Sequence, residues 1–129
     1  AVDGAALGAG FELVMMADIL LATNRSTFGQ PEIRLGFFAP VGVAWLSERI
    51  GLARAIEVTS TGRTYTAAEM QAMGLVSRVV DDAGLPAALE QVLGDLRRAS
   101  PLVMRMNVRL SRVDFGEGFF VVKNDRWGI

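Results

Sequence analysis

The residues of this sequence that could do chemistry are two glutamates that follow a glycine-rich turn. Gly8, Ala9 and Gly10 allow a tight backbone turn, after which a helix can begin. The first N–H groups of a helix have no intrahelical partner, so they can donate to an anionic oxygen at the positive end of the helix dipole. Glu12 falls in the first turn of that helix, and Glu32 follows further along the chain. Amide donors beside two carboxylates suit proton transfer next to a carbonyl group.

Each of these residues also has a purely structural interpretation. The spacing GAALGAG, residues 4–10, differs from the G-x-G-x-x-G pattern of dinucleotide-binding turns, and most glycines simply serve turns. Glu12 could face solvent and be favoured there by the helix dipole. Its apolar neighbours Phe11 and Leu13 instead favour partial burial and a functional role. The importance of Glu32 depends on whether the chain folds back towards Glu12, which spacing alone does not decide.

The composition limits which residue types could take part in catalysis or binding. The 129 residues include no cysteine and no histidine, which excludes thiol nucleophiles, disulfides, serine–histidine triads and most zinc sites within this sequence. Proton transfer must therefore use Asp, Glu, Tyr65, Lys123 or water. The formal net charge of −1 argues against a chain that binds nucleic acid. The hydrophobic content of 51% predicts one globular domain or part of one, with either a well-filled core or apolar surface meant for another chain or segment.

No targeting or membrane-spanning segment is predicted. The apolar run at residues 11–22 is short and carries Glu12 and Asp18. We therefore expect a soluble, cytoplasmic protein. The sequence begins at AVDG without methionine, and we expect upstream sequence to be missing.

The elements that would position the two glutamates follow from apolar periodicity and turn residues. Helices are expected over residues 9–17, 42–50, 52–61, 66–74, 86–98 and 101–113, and strands over residues 1–3, 19–23, 27–29 and 76–80. The helix at 9–17 is apolar on nearly every face and is expected to be buried. Thr66 and Glu69 form a capping box, and Pro31 favours an extended Gln30. The tail from residue 114 has no periodic pattern and no predicted structure.

Residues 6–36, ALGAGFELVMMADILLATNRSTFGQPEIRLG, closely resemble the enoyl-CoA hydratase/isomerase family, the crotonases, and residues 51–80 continue the resemblance. It implies an α/β fold, a crotonase-like spiral of β-β-α units of which residues 1–129 would be an N-terminally truncated portion. Residues 1–80 would hold the core and the active-site segment, and residues 81–129 a C-terminal helical region. The resemblance also implies acyl-CoA thioester ligands and assembly as a homotrimer or hexamer.

The resemblance assigns roles to the two glutamates and to the glycine-rich turn. Glu12 and Glu32 match the two catalytic glutamates of the hydratases, with Glu12 activating water and Glu32 giving a proton to C2. The backbone N–H of Ala9 would be one of two donors to the thioester oxygen as it becomes an enolate, and the other donor would lie upstream of this sequence. The implied enzyme is a hydro-lyase that uses no metal and no redox cofactor.

One segment departs from the family pattern. After Gly36, typical hydratases carry a glycine-rich P-G-x-G-G-T-Q-R-L segment, whereas this chain has FFAPVGVAWLSERIG. This aromatic wall resembles that of the cyclic dienoyl-CoA hydratases. The expected pocket residues are Gly8, Phe37, Phe38, Pro40 and Trp45.

Two alternatives stay open. The first is other enolate chemistry, such as double-bond isomerisation. The second is a non-catalytic assembly subunit or RNA-binding relative, which would use an arginine stripe that includes Arg105, Arg109 and Arg112.

Overall fold

The computed structural model describes residues 1–112, in which short strands alternate with helices. The strands are β1 (Ala5–Leu7), β2 (Leu21–Thr23), β3 (Thr27–Gly29), β4 (Thr64–Thr66) and β5 (Arg78–Val80). The helices are α1 (Ala9–Met15), α2 (Pro40–Ile50), α3 (Leu52–Thr61), α4 (Ala67–Met73), α5 (Leu85–Arg98) and α6 (Pro101–Ser111), and a 3₁₀ helix occupies Pro31–Leu35. The six expected helices are all present, so the α/β class predicted from the sequence is confirmed.

Two small sheets organise the chain. In the first, β3 lies between β1 and β4, parallel to β1 and antiparallel to β4. Ala6 pairs with Phe28, and Phe28 with Tyr65. In the second sheet β2 runs parallel to β5, and Val2 adds an isolated parallel bridge to Ala22. Parallel pairing brings the carboxyl ends of β1 and β3 to the same edge, so the segments that leave these strands emerge side by side.

Several expected strands are placed differently. The strand expected at residues 1–3 is reduced to the bridge at Val2, while β1 and β4 were not predicted. β1 (AAL) lies within a run of alanine and glycine, and β4 (TYT) lies directly before the helix that Thr66 caps, so neither has an apolar run that indicates a strand. The helix expected to reach residue 113 ends at Ser111, and the tail that begins at residue 114 lies outside the described residues.

The hydrophobic core lies between the sheets and helices α1 to α4. The rings of Phe11 and Phe28 meet at a centroid distance of 5.8 Å and a tilt of 58°. The largest fully buried apolar side chains are Phe11, Met15, Leu20, Phe28, Leu46, Val58, Tyr65 and Met70. They come from the first sheet, from the residue before β2 and from four helices. Each of these short elements is therefore stabilised mainly by tertiary packing.

The expectation that α1 is buried on nearly every face is wrong. Phe11 and Met15, four residues apart on one side of the helix, are buried against the core. Leu13 is 76% exposed and Met16, at the C-cap, is 52% exposed. An apolar sequence does not show which faces of a helix have a packing partner. In the described chain Phe11 and Met15 are buried in the core and Val14 packs partly against it, whereas Leu13 is exposed.

Packing divides the chain into two units, with the division between residues 92 and 93, inside α5. The first unit contains both sheets, α1 to α4 and the 3₁₀ helix. In the second unit, α6 begins at Pro101 after the N-cap residue Ser100 and carries exposed apolar side chains at Leu102 and Met106. Within residues 1–112, no helix is both long enough and apolar enough to cross a lipid bilayer.

Candidate active site

The glycine-rich turn lies where β1 ends and α1 begins. The N–H of Gly8 donates to the carbonyl of Gly29 over 2.9 Å, which extends the parallel ladder by one bond beyond β1 and β3. Gly8 has φ of 57° and ψ of −129°, a conformation that L residues rarely adopt. Its carbonyl then accepts the N–H of Glu12 over 3.0 Å, the first turn of α1. The turn therefore fixes the helix start directly against the end of β3.

Ala9 is the first residue of α1 and is exposed. The N–H of a first helical residue has no partner within its own helix, so it is available to an incoming acceptor. No residue other than glycine in the described chain has a positive φ. Alanine is therefore tolerated at this position without backbone strain. The role of its N–H as a donor to a thioester oxygen stays a prediction.

Glu32 enters the site from the 3₁₀ helix that follows β3. Gln30 has φ of −121° and ψ of 72°, a non-helical conformation that accords with the following Pro31. The half-buried Glu32 side chain turns towards α1. A Cβ built on Gly8 would lie 3.0 Å from Oε1 of Glu32 and 3.5 Å from its Cδ. The fold therefore brings Glu32 to the start of α1, beside Gly8 and the residue that carries the predicted oxyanion donor.

Glu12 is held by the start of a different helix. Its Oε1 accepts the backbone N–H of Val41 over 2.9 Å and that of Gly42 over 3.2 Å. Both amides belong to the first turn of α2, where the helix dipole favours a negative charge. The Glu12 side chain is half-buried, and its Oε2 has no hydrogen-bond partner among residues 1–112. One carboxylate oxygen is thus anchored, and the other can take a further ligand.

Gln30 is a site residue that the sequence reasoning missed as a functional group. Its side chain is 1% exposed. With the amide oriented to satisfy its neighbours, the nitrogen donates to Oε1 and Oε2 of Glu32, each over 3.2 Å. On another side, a Cβ built on Gly42 would lie 3.2 Å from the same amide group. A polar residue in the buried stretch between Phe28 and Pro31 was the signal that could have identified it.

The expected pocket residues are Gly8, Phe37, Phe38, Pro40 and Trp45. Besides Gly8 they occupy the loop before α2 and its first turns, and the N–H of Phe37 donates to the carbonyl of Glu32 over 3.2 Å. Phe37 and Phe38 are each 68% exposed, and Trp45 is 45% exposed. Pro40 is the first residue of α2, next to the amides that bind Glu12. Their contact with a substrate stays a prediction.

Carboxyl groups elsewhere serve the scaffold. The Arg25 guanidinium, which donates to Asp3 over 2.7 Å, lowers the pKa of that carboxyl. The N–H of Thr66, which donates to Glu69 over 2.7 Å, and then Arg63, lower the pKa of Glu69. These contacts secure the turn between β2 and β3 and the start of α4. Among the described residues, no group of three or more acidic side chains could hold a metal ion.

Known proteins match this chain in both sequence and structure. A family model described as enoyl-CoA hydratase/isomerase matches residues 1–112. The probable enoyl-CoA hydratase echA8 of Mycobacterium tuberculosis (strain CDC 1551 / Oshkosh) is 42% identical over 114 residues, which cover 88% of this chain and 42% of that protein. The cyclohexa-1,5-dienecarbonyl-CoA hydratase of Thauera aromatica is 37% identical over 114 residues, 88% of this chain and 44% of that protein.

A solved structure extends the match to three dimensions. A Thermobifida fusca YX protein, named as an enoyl-CoA hydratase and crystallised in complex with CoA, superimposes with a TM-score of 0.78 at 33% identity. The match covers 87% of this chain and 46% of that one. The crotonase-like fold expected from the sequence is confirmed for this portion. The chain spans about two fifths of the length of the curated relatives it matches, at 42% for the first of them. With the family model matching all the described residues, the chain belongs to the enoyl-CoA hydratase/isomerase family.

Proposed function

We propose that the protein carrying this chain is an enoyl-CoA hydratase, which adds water reversibly across the 2,3-double bond of an acyl-CoA thioester. The observation that carries the proposal is the separate anchoring of two half-buried glutamates around the start of α1. Glu32 is held by the Gln30 amide beside Gly8, and Glu12 by the amides of Val41 and Gly42. Such an arrangement supplies two proton-transfer groups next to a helix N-terminus.

The proposed mechanism divides the work between the two carboxyls. Glu12, with Oε1 anchored by α2, uses Oε2 to hold a water molecule and takes one of its protons as the oxygen bonds to C3. The electron pair of the double bond moves towards the thioester, whose oxygen is stabilised by the N–H of Ala9. A protonated Glu32 then gives its proton to C2. The proton that Glu12 takes from water then passes to Glu32, so the sum is one water added to the double bond with no net oxidation or reduction. The proposed mechanism therefore uses no redox cofactor, and it assigns no step to a metal.

Replacing either glutamate tests this mechanism. Glu12→Gln and Glu32→Gln keep the size of the side chain but remove a proton-transfer group, and each should lower kcat by about 10²- to 10⁴-fold. The decline of the ultraviolet absorbance of a 2-enoyl-CoA measures hydration. Glu48→Gln, at an exposed position of α2, is the matched control and should retain activity. Near-normal hydration by both active-site variants would defeat the proposal.

A more specific substrate is favoured by the aromatic segment before α2. Phe37 and Phe38 are exposed next to the helix start that binds Glu12, and the relative from Thauera aromatica is named for a cyclic dienoyl substrate. Aromatic side chains pack well against a flat unsaturated ring. We therefore propose ring-containing enoyl thioesters as the preferred substrates. The test compares kcat/KM for a cyclohexadienecarbonyl-CoA and for a straight-chain 2-enoyl-CoA. A clear preference for the straight chain would contradict it.

Self-association is also proposed, as a trimer or hexamer. It is supported by large apolar side chains that the described chain leaves exposed, among them Leu13 at 76% and Leu35 at 77%. Large apolar side chains exposed in such number are typically covered by another chain or segment. Sedimentation of the native protein should give the mass of three or six copies, and a monomer at micromolar concentration would contradict this assembly.

A further inference from the structure

Gln30 is a buried polar side chain with contacts on two sides of the candidate site. It is 1% exposed, and burial of a carboxamide is unfavourable unless its polar atoms are paired. The partner of this carboxamide is a neighbouring acid, because the amide nitrogen of Gln30 donates to both carboxyl oxygens of Glu32, each over 3.2 Å. Two contacts from one NH₂ group restrain both the position of the carboxyl and its rotation about the last side-chain bond.

The other side of the Gln30 side chain is packed against α2. A Cβ on Gly42 would lie 3.2 Å from the amide group of Gln30 and 3.5 Å from its Cδ, so glycine leaves the space that the carboxamide occupies. The N–H of the same Gly42 donates to Oε1 of Glu12 over 3.2 Å. One side chain therefore contacts Glu32 directly and also contacts the residue whose amide binds Glu12.

We propose that Gln30 is a positioning residue that fixes the Glu32 carboxyl relative to Glu12. This inference rests on the proposed hydratase function. Glu32 is only half-buried, so packing alone leaves its carboxyl free to rotate, and the hydrogen bonds from Gln30 are the restraint that the structure supplies. Because proton transfer depends on sub-ångström placement, a misplaced carboxyl lowers turnover more than it lowers substrate binding.

Gln30→Met tests the proposal, because methionine has a similar length and volume but cannot donate a hydrogen bond. In the full native protein, kcat should fall about 10- to 100-fold while KM stays within about twofold. In the Glu32→Gln background the same substitution should lower kcat by less than about twofold, because Gln30 acts through Glu32. Ser26→Ala is the control, since Ser26 is equally buried and bonded to Thr23 and the carbonyl of Val2. It should lower stability and leave kcat unchanged.

A second variant approaches the same contact from α2. Gly42→Ala is compatible with a helix but forces the Gln30 amide to move, so it should lower kcat in the native protein. In a Gln30→Ala background only the Ala39 Cβ, at 3.3 Å, remains close to the added methyl group, so Gly42→Ala should lower kcat by a smaller factor than it does in the native protein. This pair keeps the test decisive if Gln30→Met does not fold.

The outcomes are distinguishable. A normal kcat in Gln30→Met would overturn the positioning role while the hydratase proposal stands. The same follows if Gln30→Met lowers kcat equally in the native protein and in the Glu32→Gln background. If the native protein hydrates no enoyl thioester, the proposed function fails first and the inference fails with it. A loss of kcat that disappears in the Glu32→Gln background supports both.

Discussion

Gly8→Ala is the substitution that tests the local geometry of the candidate site most directly. Gly8 combines a positive φ of 57° with a close approach to a carboxylate. Alanine at this position would have to adopt a backbone conformation that L residues avoid, and its methyl group would meet Oε1 of Glu32 at 3.0 Å. The substitution therefore tests both the turn and the placement of the acid.

The two effects have different magnitudes and different readouts. Holding a non-glycine residue in such a conformation costs about 1–3 kcal/mol of folding free energy. The contact with Glu32 is tighter than an ordinary van der Waals contact, so the carboxyl must shift by a few tenths of an ångström. A displacement of about 1 Å in an active site can lower the rate roughly 10²-fold, and the shift of the Glu32 carboxyl is smaller than that. We therefore expect kcat to fall about tenfold.

Gly10→Ala is the matched control two residues further along α1. A Cβ at Gly10 meets nothing within 4 Å, and its φ is not positive. Alanine there should raise the free energy of unfolding by about 0.5–1 kcal/mol, because it removes backbone entropy from a helical position. Urea denaturation measures both stabilities, and hydration of a 2-enoyl-CoA measures the activity of Gly8→Ala. If Gly8→Ala is as stable and as active as the native protein, the geometry argued for this turn is refuted.

Three further predictions concern the scaffold and the pocket. Thr66→Ala removes the N-cap of α4 and should lower the free energy of unfolding by about 1 kcal/mol without changing kcat/KM. Denaturant titration and steady-state kinetics measure the two quantities, and a loss of activity would contradict this prediction. In the folded protein Arg25 lowers the pKa of Asp3, and the Thr66 N–H lowers the pKa of Glu69. Their contribution to stability is therefore present above the ordinary pKa values of 3.8 and 4.5, and it is lost as the pH falls through the lowered values. Unfolding measured from pH 6 to about pH 2 should show this decline, and no dependence on pH in that window would argue against these contacts. Phe38→Ala should reduce kcat/KM for a ring-containing thioester about tenfold more than for a straight-chain one, whereas equal reductions would remove the aromatic argument for ring preference.

Much of the fold could be predicted because its local signals are strong. The capping box of Thr66 and Glu69 is present as expected, with both reciprocal hydrogen bonds. Gly62 and Gly74 end α3 and α4 in the left-handed conformation that glycine adopts easily. These features depend on neighbours within four residues, which a sequence displays directly. The family resemblance of residues 6–36 then supplied what local signals cannot, namely the prediction that two distant glutamates act in one site.

The remaining features depend on contacts between distant segments. Val41 and Gly42 bind Glu12 through backbone amides, and a backbone donor leaves no residue-specific trace in the sequence. The partner of Gln30 could not be inferred either, since its hydrogen bonds depend on the side-chain orientation of Glu32 inside the folded chain. β1 and β4 are likewise defined by the strand they pair with, β3, rather than by a pattern of their own.

The parallel ladder between β1 and β3 has a consequence for which insertions and deletions the protein tolerates. The N–H of Gly8 is hydrogen-bonded to Gly29, and the Glu32 carboxyl lies beside Gly8. The number of residues from Gly29 to Glu32 therefore sets where the acid lies relative to the helix start. Adding or removing one residue within this segment would carry the acid away from the helix start even if every strand still formed. The exposed turn at Asn24 and Arg25, by contrast, can lengthen without altering that distance.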